Sequence, residues 1–325
     1  MAWVKVTDIA YGRLRAPDLD AMEEFLTRFG MYRSERTANA LYMRGTDPAH
    51  HIHVTEKGDT KFVGLAYYAE SEDDLKKLAK APGASGIENI DEPGGGKRVR
   101  LAEPNGYQIE VVCGIAPVDE IPVRRQKLNS GESPLSRAGE LMRLPKGPAH
   151  VKRIGHGVLM TPRFGETVGW FRDTLGFVCS DDVYVESKDN VIGSFNRCDR
   201  GDTYVDHHVF FCLAHEKTGL NHLSFEVSDI DDVCMGHDYL KKFGSYEHMW
   251  GSAVTCSAAR STTTGPIRGA ACTSIGPTAT GSTSPMARNW CRPTKRWCRN
   301  GARRRRKNSS ITQVRNALKL RHPCV

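Results

Sequence analysis

From Ile9 the chain reads Ile9-Ala10-Tyr11-Gly12-Arg13-Leu14, an alternation of the kind that lays one face of a strand on a core. After Pro17 the period changes. Met22, Phe25, Leu26 and Phe29 form one apolar stripe at helical spacing, and Gly30 stands where a helix end needs a left-handed residue. The same succession returns later. Ile154-Gly155-His156-Gly157-Val158-Leu159 predicts a strand, Val168, Phe171 and Leu175 a second amphipathic helix after Pro162, and Gly176 its end. A second pair of segments matches without gaps: Phe62 to Leu75 (FVGLAYYAESEDDL) against Leu220 to Val233 (LNHLSFEVSDIDDV). Each is a strand followed by an acidic helix start, where carboxylates cap free N–H groups and complement the dipole. Within the first half the strand-then-helix order occurs twice, near residues 6–30 and 61–80. The simplest architecture is therefore α+β: two domains, each of two βαβββ-like modules.

Length agrees with this, since 325 residues suffice for two ordinary domains. The boundaries predicted are 1–116 for the first domain, 117–148 for a connection rich in Pro, Gly, Ser and charge, and 149–251 for the second. A short helix is expected around Ser136 to Leu141. Hydrophobic residues at 39% and charged residues at 26% fit a globular chain. No apolar run approaches membrane-spanning length, and the start at Met1-Ala2-Trp3 shows no targeting segment, so the default expectation is a cytoplasmic protein without membrane partners.

The halves differ chemically at matching places. Tyr11 corresponds to His156 and Gly64 to His222, so two strand-borne histidines occur together in one half only. Neutral imidazoles on rigid strands make suitable metal ligands, because their geometry is set before the metal arrives. His207 and His208 precede His222 in Asp206-His207-His208-Val209-Phe210-Phe211. His50, His51 and His53 in the first half, with Tyr11 and Gly64 at the ligand positions, are expected on loops or the surface.

The GHG strand at His156, the LNHLSFEV strand at His222 and the duplication together resemble the type I extradiol ring-cleavage dioxygenases of the vicinal-oxygen-chelate superfamily. The resemblance covers roughly Val6 to Gly251. It implies modules curled into open barrels, with a metal site kept only in the second domain. It further implies Fe(II), or Mn(II), held by two histidines and one glutamate, with open positions for a small aromatic diol and O2. His156 and His222 are then the metal ligands and His208 an acid–base group beside oxygen, with His207 expected at the surface. The implied activity is meta cleavage of a catechol-type or trihydroxylated monocyclic ring, in aromatic-compound degradation. Such enzymes commonly assemble as homo-oligomers. Two alternatives remain: a glyoxalase-like isomerase or lyase of the same superfamily, and a non-catalytic aromatic-binding module or inactive remnant.

The third ligand is missing from this reading. The first half offers Glu103-Pro104-Asn105-Gly106-Tyr107-Gln108-Ile109-Glu110, a turn and a strand with Glu110 at the expected place. The second half offers Ser252 to Gly281, which contains no Asp, Glu, His, Phe or Tyr and follows no strand or helix period. Five of the ten cysteines follow Gly251, without a C-x-x-C rhythm, and the net charge of +8 owes much to Arg303-Arg304-Arg305-Arg306-Lys307. That run reads as a solvated tail, with no nucleic-acid module beside it. Reading the codons one nucleotide earlier changes the picture. Ile267-Arg268-Gly269 then permits Asp-Pro-Trp, and Cys272 to Gly276 permits Val-His-Glu-His-Trp. Residues 252–325 are accordingly expected to be an out-of-frame, irregular tail.

Overall fold

The first half runs β1 (Asp8–Ala16), α1 (Leu19–Phe29), β2 (Tyr32–Arg36), β3 (Ala40–Arg44), β4 (His53–Lys57), then β5 (Lys61–Tyr68), α2 (Glu72–Leu78), β6 (Ile87–Asn89), β7 (Lys97–Ala102) and β8 (Gln108–Cys113). This is βαβββ twice. The computed structural model describes residues 2–123, 127, 129–141, 146–244 and 246, and the backbone of 267–268, 271–275 and 318–321. The eight strands make one sheet in the order β2-β3-β4-β1-β5-β8-β7-β6, with the two modules meeting where β1 runs antiparallel to β5. Helix α1 forms where expected. Asp18 caps it by accepting from the N–H groups of Asp20 and Ala21, Gly30 ends it at φ 120°, and Leu19, Met22, Phe25, Leu26 and Phe29 are its buried stripe. Full burial of each large apolar side chain contributes roughly 1.5–3 kcal/mol.

The second half repeats the pattern with β9 (Val151–Thr161), α3 (Phe164–Leu175), β10 (Phe177–Val185), β11 (Val191–Cys198), β12 (Val205–Asp206), β13 (Phe210–Ala214), β14 (Gly219–Val227) and α4 (Ile230–Lys241). Its sheet order contains β14-β9-β13-β11-β10, the counterpart of β5-β1-β4-β3-β2. Even the irregularities repeat: β2 shifts register between Arg33 and Glu35 against β3, and β10 between Cys179 and Asp181 against β11. The core is shared between the halves, one cluster running from Val4 to Val227. Trp3, Val4 and Val6 donate backbone N–H groups to the carbonyls of Asp173, Thr174 and Leu175 at the end of α3. A smaller cluster, including Tyr11, Tyr42, Val54 and Ala66, belongs to the first half alone.

Two expectations change. Residues 134–139 form turns rather than a helix, closed by N–H groups of Ala138 on Leu135 and Glu140 on Arg137. Leu135 and Leu141 there are 77% and 75% exposed, so no apolar face is available to hold a helix down. Beyond residue 251 the described backbone consists of three short strands, β15 (Ile267–Arg268), β16 (Ala271–Ile275) and β17 (Leu318–Arg321). Strand β16 pairs antiparallel with β14, whereas its first-half counterpart β8 pairs parallel with β5. An edge such as β14 presents N–H and C=O groups to any extended backbone, so pairing there needs no side-chain period. The remainder of the expected irregular tail, including Arg303 to Lys307, lies outside the described residues. Among the described residues, no helix is long and apolar enough to cross a membrane.

Candidate metal centre

His156 comes from β9 and His222 from the neighbouring β14. The register sets Ser224 opposite His156 and Val158 opposite His222, so the two histidines share one face of the sheet as a diagonal pair. Their Nε2 atoms converge to 3.3 Å. The glycine beside His156 has a packing reason. A Cβ on Gly157 would come within 2.8 Å of Leu65 from the first half, and a Cβ on Gly12 within 2.4 Å of Leu223 from the second. The site strand is thus braced across the junction between halves.

His222 Nδ1 lies 2.7 Å from the side-chain oxygen of Asn221. A carbonyl oxygen only accepts, so this contact assigns the His222 proton to Nδ1 and leaves the Nε2 lone pair facing His156. Burial pushes His222 down to about 4. Burial, then His208, His222 and His207, hold His156 well below its ordinary value. Both rings are neutral at pH 7, and nitrogens this close then need a proton or a cation between them. A separation of 3.3 Å is near the roughly 3 Å between adjacent nitrogens bound about 2.1 Å from one ion, so this donor pair fits a borderline divalent metal. Among the described residues, no group of three or more His, Cys, Asp or Glu is placed to hold an ion.

His208 stands beside this pair. Its ring is 4.3 Å from that of His156 and packs edge-on against Phe195 at 4.8 Å. Burial, then His207 and His222, push it down to about 3, so the ring is neutral. His207 is not at the surface as expected but 5% exposed. Its Nε2 lies 2.7 Å from Asp181 and its Nδ1 3.1 Å from His208 Nδ1, while the Ser180 hydroxyl donates to its carbonyl at 2.6 Å. Carboxylate and neighbouring ring satisfy both nitrogens, which is why burial is tolerated.

His50 and His51 lie on the loop before β4, one of the two positions expected, whereas His53 opens β4; all three are buried rather than at the surface. The register explains it. His53 sits opposite Gly12 as Phe210 sits opposite Gly157, so His50 and His51 are the counterparts of His207 and His208. The doubled His-His pair was the signal available in the sequence. Asn221, Asp181 and Phe195 carried no comparable signal, because their roles depend on which neighbours fold against them. In the first half the ligand positions are closed. A Cβ at Gly64 would lie 1.6 Å from the Gln108 carbonyl oxygen, so that strand pairing admits no imidazole there. Tyr11 instead donates its hydroxyl to buried Glu110.

No family model matches the chain. It is 26% identical over 251 residues to metapyrocatechase 2 of Cupriavidus necator, covering 76% of this chain and 73% of the relative. The metapyrocatechase of Geobacillus stearothermophilus is 25% identical over 260 residues, covering 75% and 74%. Among solved structures, a Mn(II)-bound glyoxalase from Novosphingobium aromaticivorans superposes with a TM-score of 0.59 at 25% identity, over 74% of this chain and 72% of that one. Homoprotocatechuate 2,3-dioxygenase from Brevibacterium fuscum, in complex with 3,4-dihydroxyphenylacetate, superposes with a TM-score of 0.58 at 18% identity, over 74% and 70%.

Proposed function

We propose that this chain, a homologue of the metapyrocatechases with the vicinal-oxygen-chelate fold, is an extradiol dioxygenase scaffold acting on a small aromatic diol and O2. The observation that carries the reading is the convergence of two half-buried, neutral imidazoles, His156 and His222, at one point of the second half only. These would hold Fe(II), or Mn(II) as in the glyoxalase neighbour. When bound, the metal supplies a Lewis-acid anchor for both diol oxygens and a place for O2. The chain's own residues do the rest. Asn221 keeps His222 in the tautomer that offers Nε2, and Phe195 holds the His208 ring beside His156. In this reading His208 would take the proton that leaves a diol hydroxyl, so that the imidazolium formed stands beside the negative charge developing on oxygen. Domain limits at 1–116, 149–251 and a tail from 252 go with this reading, as does assembly into a homo-oligomer.

The third ligand belongs, in this proposal, to the other reading frame. Ser274 lies opposite Ser224 in β14, as Glu110 lies opposite Ala66 in β5, and Ser274 is the position where the earlier frame permits Glu. Two imidazoles alone leave the facial set open, so the chain as written is expected to bind metal weakly. The test is O2 uptake with catechol after Fe(II) loading, for the chain as written and for one with the frame restored from codon 252. Uptake in the restored chain supports the proposal; a folded, iron-loaded restored chain without uptake overturns it. The similarity to the Mn(II)-bound glyoxalase favours a second reading, an isomerase or lyase. Isomerisation of a hemithioacetal without O2 uptake would select it. A metal-free protein that still binds catechol would be a non-catalytic remnant.

A further inference from the structure

The His208 ring does not stand alone. Its Nδ1 faces His207 Nδ1 at 3.1 Å, and His207 Nε2 lies 2.7 Å from the Asp181 carboxylate. The row of side chains ends beside the metal centre, where the His208 ring is 4.3 Å from that of His156. A carboxylate only accepts, so the contact to Asp181 puts a proton on His207 Nε2. In the neutral ring the other nitrogen, Nδ1, is then an acceptor, and the facing Nδ1 of His208 supplies the proton between them. His208 is left with its lone pair on Nε2.

Asp181 reaches this place through an irregularity in β10. The register against β11 passes from Cys179 opposite Asn196 to Asp181 opposite Phe195, so Ser180 is an extra residue. A bulge of this kind re-aims the side chains next to it. Here it is pinned. The Ser180 hydroxyl donates to the His207 carbonyl at 2.6 Å, and Arg197 Nη1 donates to Ser180 Oγ at 3.1 Å and to the Cys179 carbonyl at 2.7 Å. Side-chain exposure is 5% at His207 and 13% at Asp181, so water competes little for their link.

The first half supplies a control within the same molecule. It has the equivalent extra residue, Ser34, and the equivalent ring pair, with His50 Nδ1 3.1 Å from His51 Nδ1. Glu35, the counterpart of Asp181, is exposed, and His50 Nδ1 faces Ser34 Oγ at 3.4 Å. The paired rings therefore belong to the duplicated scaffold. Between these two pairs, the carboxylate hydrogen bond is made in the half that carries His156 and His222.

We propose that Asp181 and His207 are positioning residues that fix His208 in the tautomer with its proton on Nδ1 and its lone pair on Nε2. The proposal rests on the reading of His208 as the group that takes the diol proton. That proton then has one place to go, Nε2, and the positive charge formed on His208 lies on a row that ends in a carboxylate. An aspartate behind the imidazole of a Ser-His-Asp triad likewise sets which nitrogen is protonated and stabilises the imidazolium. Here a second imidazole stands between the two.

The experiment is a long-range proton–nitrogen correlation spectrum of the metal-free chain with isotope-labelled histidine, in which protonated and bare ring nitrogens resonate apart. The His207 and His208 signals are assigned from those missing in His207→Gln and His208→Gln. The parent is expected to show His208 protonated at Nδ1 and bare at Nε2, and His207 the reverse. An amide in place of the Asp181 carboxylate can donate as well as accept. Asp181→Asn is therefore expected to move the His208 tautomer ratio toward the Nε2-protonated form by about tenfold or more, the range of one hydrogen bond to a charged group. Parent protein with His208 protonated at Nε2 overturns the proposal, as does folded Asp181→Asn with the parent ratio. Where Asp181→Asn does not fold, the parent spectrum decides. No turnover is measured, so failure of O2 uptake in the frame-restored chain would remove the reading of His208 without altering the tautomer result.

Discussion

The two halves curl the same five strands, β2-β3-β4-β1-β5 and β10-β11-β13-β9-β14, and close the middle of the curl in opposite ways. In the first, a tyrosine donates to a glutamate that also faces an arginine, and β8 packs so closely on β5 that only Gly64 fits. In the second, two imidazoles face each other with a third beside them and no carboxylate closing the set among the described residues. One centre pairs its own charges; in the proposed reading the other takes a metal. A fold of this kind fixes where strands put side chains, and a few substitutions then decide between a packed interior and a binding site.

That contrast can be broken most sharply at the second centre. His156→Ala or His222→Ala is expected to abolish Mn2+ binding by the second half, measured by equilibrium dialysis on the purified variants. Stoichiometric metal retained by either variant would sink the site assignment. At the first centre, Glu110→Ala leaves Arg13 paired with Glu92 and Glu56 but removes the buried acceptor of Tyr11. It is expected to cost about 1–3 kcal/mol of stability in urea unfolding, while leaving metal binding by the second half unchanged. A loss below about 1 kcal/mol, the range of exposed pairs, would mean that the network is not what holds this interior together.

A pH dependence is shared by both centres. His51 and His208 are pushed to about 3, and His53 and His222 to about 4, each first by burial. For a group whose folded value lies below its unfolded value of about 6.5, stability is fully present above the unfolded value. It is lost as pH falls from there through the folded value, because the unfolded chain takes up the proton first. In metal-free protein these rings therefore make stability fall as pH drops below roughly 6.5. Thermal unfolding followed from pH 7.5 to 4.5 checks this. A melting temperature constant down to pH 5 would contradict the buried, neutral assignment.

Much of this is legible in the sequence. The repeated strand–helix–glycine pattern located α1 and α3, and the matching of Tyr11 to His156 and Gly64 to His222 pointed to a centre in one half. The burial of His50, His51 and His207 was not legible, because a histidine pair on a loop looks the same whether a sheet curls over it or leaves it to solvent. Arg13 was equally silent. Its partners Glu56, Glu92 and Glu110 are far apart in sequence and meet only when β4, β8 and the loop after β6 close around β1. Strand β16 escaped notice for another reason: backbone pairing at an open edge leaves no mark in the order of side chains.

The reciprocal contact at the junction carries a historical meaning. Leu223 of the second half covers Gly12 of the first, and Leu65 of the first covers Gly157 of the second. The two contacts are the same contact made twice about an approximate two-fold axis, the signature of a self-complementary homodimer. An ancestral protein of half this length would have met its own copy through that patch, and joining the two genes would have freed each copy from having to do the other's chemistry.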